Sequence, residues 1–249
     1  MEKMLLHIPH SSVTVPEEYR RRILLDDRAL NRELLKMTDM YTDELFAEGR
    51  DALIFPISRL VCDVERFRDP AEEHMTEKGM WVVYSKTSDL SALRRPERRE
   101  TERILREHYD RHHSALTGMT ENRLGAFGEV VIIDCHSFSS SPLPYEDDRS
   151  RERPDICIGT DSFHTPEKLR ELLTGSFEDL GYSVKTDSPY SGCLVPMEYY
   201  RKESRVQGAM IEINRSLYMD ESTGEKLPFF KTLKEDIRTV LGKVLEDCN

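Results

Sequence analysis

The chain has 249 residues, 38% apolar and 33% charged, with a formal net charge of −11. That length holds one large α/β domain or two small ones, and the composition argues against disorder. The acidic balance disfavours nucleic acid, whose phosphates require a basic surface. No apolar run reaches the roughly 18 residues of a membrane span. The opening MEKMLL is too short for a signal peptide, so a cytoplasmic protein is expected.

In chain order, MLLHIPHSS reads as a short buried strand breaking into a polar loop at Pro9. Residues 26–49 carry Leu34, Tyr41 and Leu45 at helical spacing with Gly49 as a cap, which predicts one helix. ALIFPISRLVCDVERF predicts two strand pieces divided at Pro56, and GMWVVYSK another β-rich run. A long charged helix is expected from Pro96 to about Thr117, with Pro96 near its first turn. EVVIIDCHSF follows as a strand, then a solvated loop over 139–154, the strand DICIGTD, a helix from Pro166 to about Leu180 and YSVKTDSPYSG. PYSGCLVP reads as a pocket-rim loop, with Gly192 free to adopt a turn conformation. The strand GAMIEINRSLY and a helix from Pro228 close the chain.

Strands alternating with helices predict a single α/β domain over 1–249, with a central mixed, mostly parallel sheet and helices on both faces. The apolar runs 130–133 and 209–211 suit central strands buried on both sides. Ligands of such sheets bind beyond the carboxyl ends of the strands. There the sequence places His10; Asp63, Glu65 and Arg66; Asp134 and His136; and Glu212, Asn214 and Arg215. Two histidines and a carboxylate make a catalytic zinc set with an open position. A further carboxylate can act as general base, and paired guanidiniums suit a substrate bearing carboxylates.

Of the other histidines, His7 reads as a packed core residue, and His74, His108, His113 and His164 as surface groups. His112 shares a helix face with Leu105 and reads as structural. Asp134 is placed either to orient His136 or to satisfy loop amides. The five cysteines, at 62, 135, 157, 193 and 248, are odd in number and form no CxxC pair, which argues against a disulfide framework or a zinc knuckle.

The motifs HIPHSS, TDMYTDELF, SRLVCDVERF, DCHSF, RPDICIGTD, PYSG and MIEINRSLYMDE, in that order from His7 to Glu221, resemble the N-formylglutamate amidohydrolase family. That resemblance implies a fold similar to the zinc-dependent carboxypeptidases and aspartoacylases. It also implies a zinc ion, or another divalent metal, whose water attacks an amide carbonyl. By position, His10 and His136 match the metal histidines and Glu212 the general base. Arg66 matches an arginine that holds a substrate carboxylate, and Arg215, with Asn214 beside it, is the candidate for a second. The related carboxypeptidases carry a metal-binding glutamate three residues after the first histidine, where this chain has Val13. The third ligand therefore comes from elsewhere: Asp39 is the first choice, and Glu65, where several relatives have asparagine, the second. The implied reaction is hydrolysis of N-formyl-L-glutamate, or a similar N-acyl acidic amino acid, to formate and the amino acid. Alternatives are another zinc amidohydrolase or carboxypeptidase, or a protein that binds dicarboxylates without turnover.

Overall fold

The computed structural model describes residues 1–247, so Cys248 lies outside the described residues. Strand β1 (Met4–Ile8) is buried along its whole length. Helices α1 (Glu17–Arg20), α2 (Asp27–Met37) and α3 (Thr42–Phe46) follow, then β2 (Ala52–Ile54). After a long irregular stretch, α4 (Arg98–Ile104) and α5 (Asp110–Phe127) are joined through a π-helical segment, Leu105–Tyr109. The chain continues through β3 (Val130–Phe138), β4 (Ile156–Gly159), α6 (Glu167–Asp179), β5 (Val184–Thr186), β6 (Val206–Asn214) and α7 (Phe230–Asp247).

Among the described residues the strands form one six-stranded sheet in the order β2-β1-β3-β6-β4-β5. The pairs from β2 to β6 are parallel, β4 runs antiparallel to β6, and β5 is parallel to β4. This is the mixed, mostly parallel sheet that the alternating pattern predicts. No helix of the described residues is long and apolar enough to cross a membrane.

Side chains alternate between the two faces of a strand. On one face Leu6, Ile133, Ile211 and their alternates pack against α3, α6 and α7 through Phe46, Leu173 and Ile237. On the other, Leu5, Val130, Ile132 and Val206 pack with Leu116 of α5. Further along this second face the alternation brings His7, Asp134, His136 and Glu212 in place of aliphatic groups. Here the cover from α5 turns polar as well: His112 meets His7 Nε2 at 2.8 Å, one turn before the apolar contact at Leu116. Register fixes the neighbours: His7 pairs with Asp134 across β1 and β3, and His136 with Glu212 across β3 and β6. Burying such charges unpaired costs several kcal/mol each, so this half of the sheet requires the partners described below.

Three local expectations are corrected. The predicted helix over 26–49 is broken at Thr38–Tyr41, where Thr38 is extended and Tyr41 has φ 68°. The Asp39 N–H donates to the His10 carbonyl at 3.0 Å, so a tertiary bond replaces the helical one. The strand expected after Pro56 is instead a series of turns, and GMWVVYSK forms only an isolated bridge between Lys86 and Ala92. Its Val82, Val83 and Tyr84 are buried in two side clusters beside the sheet, which their hydrophobicity alone could not distinguish from strand burial. Finally, the helix begun at Arg98 runs on to Phe127, ten residues beyond the expected end, and stops at Gly128 with φ 79°.

Candidate active site

His10 leaves β1 just after Pro9, His136 lies near the end of β3, and Asp39 sits in the break between α2 and α3. One ligand atom from each falls within 4.8 Å of the others, and all three residues are buried. The ring centroids of His10 and His136 are 5.1 Å apart. His136 Nδ1 is 3.1 Å and His10 Nδ1 3.6 Å from the same oxygen, Asp39 Oδ2. The opposite nitrogens face outer carboxylates: His10 Nε2 lies 2.8 Å from Asp63 Oδ1, and His136 Nε2 lies 3.1 Å from Asp134 Oδ1. Imidazoles held by a carboxylate on one nitrogen and free to ligate on the other are oriented as metal ligands are. The donor set fits a divalent cation on a further observation. His10 Nδ1 is buried and has no hydrogen-bond partner.

Glu65, the alternative third ligand, lies on the other side of His136. Its Oε1 is 3.8 Å from His136 Nε2 and 3.2 Å from His7 Nδ1, so it groups with His7 and Asp134. Asp39 is the carboxylate brought to both Nδ1 atoms. Burial alone would raise its pKa, but His10, His136 and the Arg215 guanidinium outweigh this and hold the carboxyl well below its usual range.

Glu212 lines the same cleft, and its Oε2 is buried without a hydrogen-bond partner. Burial pushes its carboxyl up to about 8; His136 and Arg215 oppose that shift and the Asp39 charge adds to it. A carboxyl near the operating pH can both accept and return a proton.

The three arginines differ. Arg215 makes four hydrogen bonds within the protein: to Ser137 Oγ at 3.1 Å, Ser137 O at 3.1 Å, Lys36 O at 2.5 Å and Asp39 Oδ1 at 2.7 Å. Its guanidinium anchors Asp39. Arg66 and Arg59 flank Asp63 Oδ2 at 3.4 and 2.9 Å, both line the cleft, and the Nε of each has no hydrogen-bond partner. Asn214 is turned to the backbone, donating to Pro154 O at 3.1 Å and accepting from Ser216 N at 3.2 Å.

A family model for N-formylglutamate amidohydrolase matches residues 2–219. The chain belongs to the N-formylglutamate amidohydrolase family. Two solved structures are similar to it in fold. A crystal structure of N-formylglutamate amidohydrolase from Ralstonia eutropha superposes with a TM-score of 0.85 at 23% identity, over 99% of this chain and 94% of that one. A gene product from Agrobacterium tumefaciens superposes with a TM-score of 0.69 at 20% identity, over 98% and 92%. No curated protein matches in sequence.

Several residues of this N-formylglutamate amidohydrolase family member escaped the sequence reading. Arg59 was missed, although an arginine on each side of Asp63, four residues before it and three after, was a usable signal. Tyr84, whose hydroxyl makes a very short bond to Asp63 Oδ2, had none, because it comes from an irregular segment. His113, expected at the surface, lines the cleft and bonds Val64 O at 2.9 Å, while Tyr109 donates to Arg66 O at 2.6 Å. Tyr109 closes the π-helical segment, a local irregularity that often accompanies functional sites, and His113 follows one turn later in α5. His164, also expected at the surface, is fully buried between Val206 O and the Arg201 N–H. His7 is the buried residue expected, and it is also hydrogen-bonded to Asp134 and His112.

Proposed function

We propose that the protein hydrolyses the amide of an N-acyl acidic amino acid, with N-formyl-L-glutamate as reference substrate and a divalent cation, zinc first, as cofactor. The observation that carries this reading is the convergence of two imidazole Nδ1 atoms on Asp39, with unpartnered Glu212 directly across the sheet from His136. A cation held by His10, Asp39 and His136 would supply Lewis acidity, which acidifies water and polarises an amide carbonyl.

The chain's own groups perform the rest. Glu212 removes a proton from the attacking water as its oxygen bonds to the acyl carbon. When the C–N bond breaks, the same carboxyl returns the proton to the departing nitrogen, giving the carboxylic acid and the free amino acid. Asp63 and Asp134 hold the outer nitrogens of the two histidines, and Arg215 holds Asp39, so the ligating atoms are positioned before substrate arrives. Arg59 and Arg66, which line the cleft beside Asp63, suit the substrate carboxylates and would fix the amide over the His10–Asp39–His136 triad. The geometry favours Arg59 over Arg215 for the second carboxylate, because Arg215 is occupied.

The test is formate release from N-formyl-L-glutamate by protein reconstituted with zinc, with and without a chelator. Turnover that the chelator abolishes is expected; no formate from the metal-replete protein overturns the reading.

A further inference from the structure

Beside the His10–Asp39–His136 group lies a second cluster of ligand atoms, one each from His7, Glu65 and Asp134, all within 4.8 Å of one another. His7 Nδ1 is 2.8 Å from Asp134 Oδ1 and 3.2 Å from Glu65 Oε1. Bonds of about 2.0–2.2 Å to a four-coordinate cation place neighbouring donors roughly 3.3 Å apart. The spacing is that of a coordination shell, and it matches the 3.1 and 3.6 Å separations of the first group. His7 and Asp134 come from directly opposed positions of β1 and β3, and Glu65 from the turns that follow β2.

Something positive must stand among these atoms. The side chains of His7 and Asp134 are buried, and that of Glu65 is only 15% exposed. The guanidiniums of the cleft bear on other acids, Arg59 and Arg66 on Asp63 and Arg215 on Asp39. The far side of the His7 ring already has a partner, since Nε2 lies 2.8 Å from His112 Nε2. A neutral His7 that donates from Nε2 to His112 turns its Nδ1 lone pair toward both carboxylate oxygens. Those groups repel one another unless a proton or a cation lies between them. A proton on Nδ1 serves one acceptor, Asp134. Glu65 Oε1 then stays buried without a hydrogen-bond partner. A cation reaches all three atoms at once.

We propose that His7, Glu65 and Asp134 bind a second divalent cation, separate from the one assigned to His10, Asp39 and His136. One imidazole with two carboxylates suits a first-row transition ion such as zinc or manganese over calcium and magnesium, which take oxygen ligands. Glu65 and Asp134 both line the cleft, which gives the ion a path of entry. The His136 ring lies between the two groups, Nδ1 facing Asp39 and Nε2 facing Asp134. With that ring between them the ions share no ligand atom and do not form a two-metal clamp, whose ions lie roughly 3.5–4 Å apart. The second ion holds Asp134, and through it the His136 ring, and leaves the attacking water to the first.

The experiment counts and locates zinc, and needs no turnover. The full chain is dialysed to equilibrium with buffered free zinc, its metal content is measured by elemental analysis, and its crystals are examined at the zinc absorption edge. About two ions per chain are expected, the second giving an anomalous peak among His7 Nδ1, Glu65 Oε1 and Asp134 Oδ1. Glu65→Gln keeps the size of a side chain at the cleft wall; it lowers the count to about one and removes that peak alone. His7→Gln does the same, and His10→Gln removes the other peak and leaves this one. One ion per chain in the parent, a second peak elsewhere, or a count unchanged in both Glu65→Gln and His7→Gln overturns the second site. Its failure is distinct from that of the hydrolytic reading, because a chain that holds the second ion yet releases no formate overturns that reading alone.

Discussion

Glu212 stands directly across the parallel ladder from His136, on the face of the sheet where the apolar cover of α5 has ended. The pairing puts a buried carboxyl beside a candidate ligand imidazole without making it a member of the His10–Asp39–His136 group. Glu212→Gln preserves shape and removes only the proton-accepting oxygen. Bound zinc, measured by elemental analysis, is expected to remain stoichiometric, while kcat falls by about 10²- to 10⁴-fold. A variant within a few-fold of the parent would remove Glu212 from the base role.

Asp63 is the hub of the arginine end. Its Oδ1 accepts from the Glu65 N–H at 3.0 Å and meets His10 Nε2, while its Oδ2 faces Arg59, Arg66 and Tyr84. Its carboxyl is held well below the usual range despite burial, because Arg59, Arg66 and His10 outweigh the desolvation. Asp63→Asn leaves the three proposed metal ligands in place and removes the charge behind His10. Competition with a chromogenic chelator is expected to show zinc affinity about 10- to 100-fold weaker. Unchanged affinity would mean that Asp63 serves only the arginines.

Arg59 and Arg215 are expected to fail differently. Truncating Arg215 leaves the buried Asp39 charge without its guanidinium, a loss of about 3–5 kcal/mol in the metal-free protein. Arg215→Ala should therefore lower Tm by several degrees and weaken zinc binding. Truncating Arg59 leaves Asp63 with Arg66, His10 and Tyr84, so the fold loses less. Its effect belongs on KM for the acidic substrate, about 10- to 100-fold, the worth of a charge-assisted hydrogen bond. If instead Arg215→Ala raised KM alone while Arg59→Ala was silent, the roles would be exchanged.

How far the sequence revealed this site follows from where each residue sits. The ends of β1, β3 and β6 were legible because each follows an apolar run, and strand order then had only to bring them side by side. Asp39 was legible as a residue but not as a geometry. Helical spacing over 26–49 is genuine, and the break comes from a bond to His10 that no local window contains. Whether an arginine faces substrate or protein is likewise a long-range matter: the partner that occupies Arg215 is 176 residues away. Tyr84 was obscured because its segment is as hydrophobic as a strand but buries its side chains in clusters beside the sheet. His113 and His164 were misplaced because flanking charges describe the outer side of a segment and say little about its inner side.

His7 links stability to pH. Burial draws its imidazolium down, but bonds to Asp134 and Glu65 and their charges outweigh that effect and hold it at about 9, against 6.5 in the unfolded chain. Its contribution is therefore fully present below pH 6.5 and is lost as pH rises through 9. In that window the native state binds more protons than the unfolded state, so the free energy of unfolding falls with rising pH. Glu212, at about 8 instead of 4.5, acts with the same sign from a lower starting pH, because burial disfavours its ionised form. Chelator-treated protein should show a Tm that declines between pH 6.5 and 9, and His7→Gln should flatten that decline. The substitution leaves Asp134 with His136 and the Leu194 N–H, so the fold keeps two of the groups that satisfy this carboxylate. A slope unchanged in His7→Gln would show that His7 is neutral in the folded protein and that its 2.8 Å contact with Asp134 is an uncharged hydrogen bond.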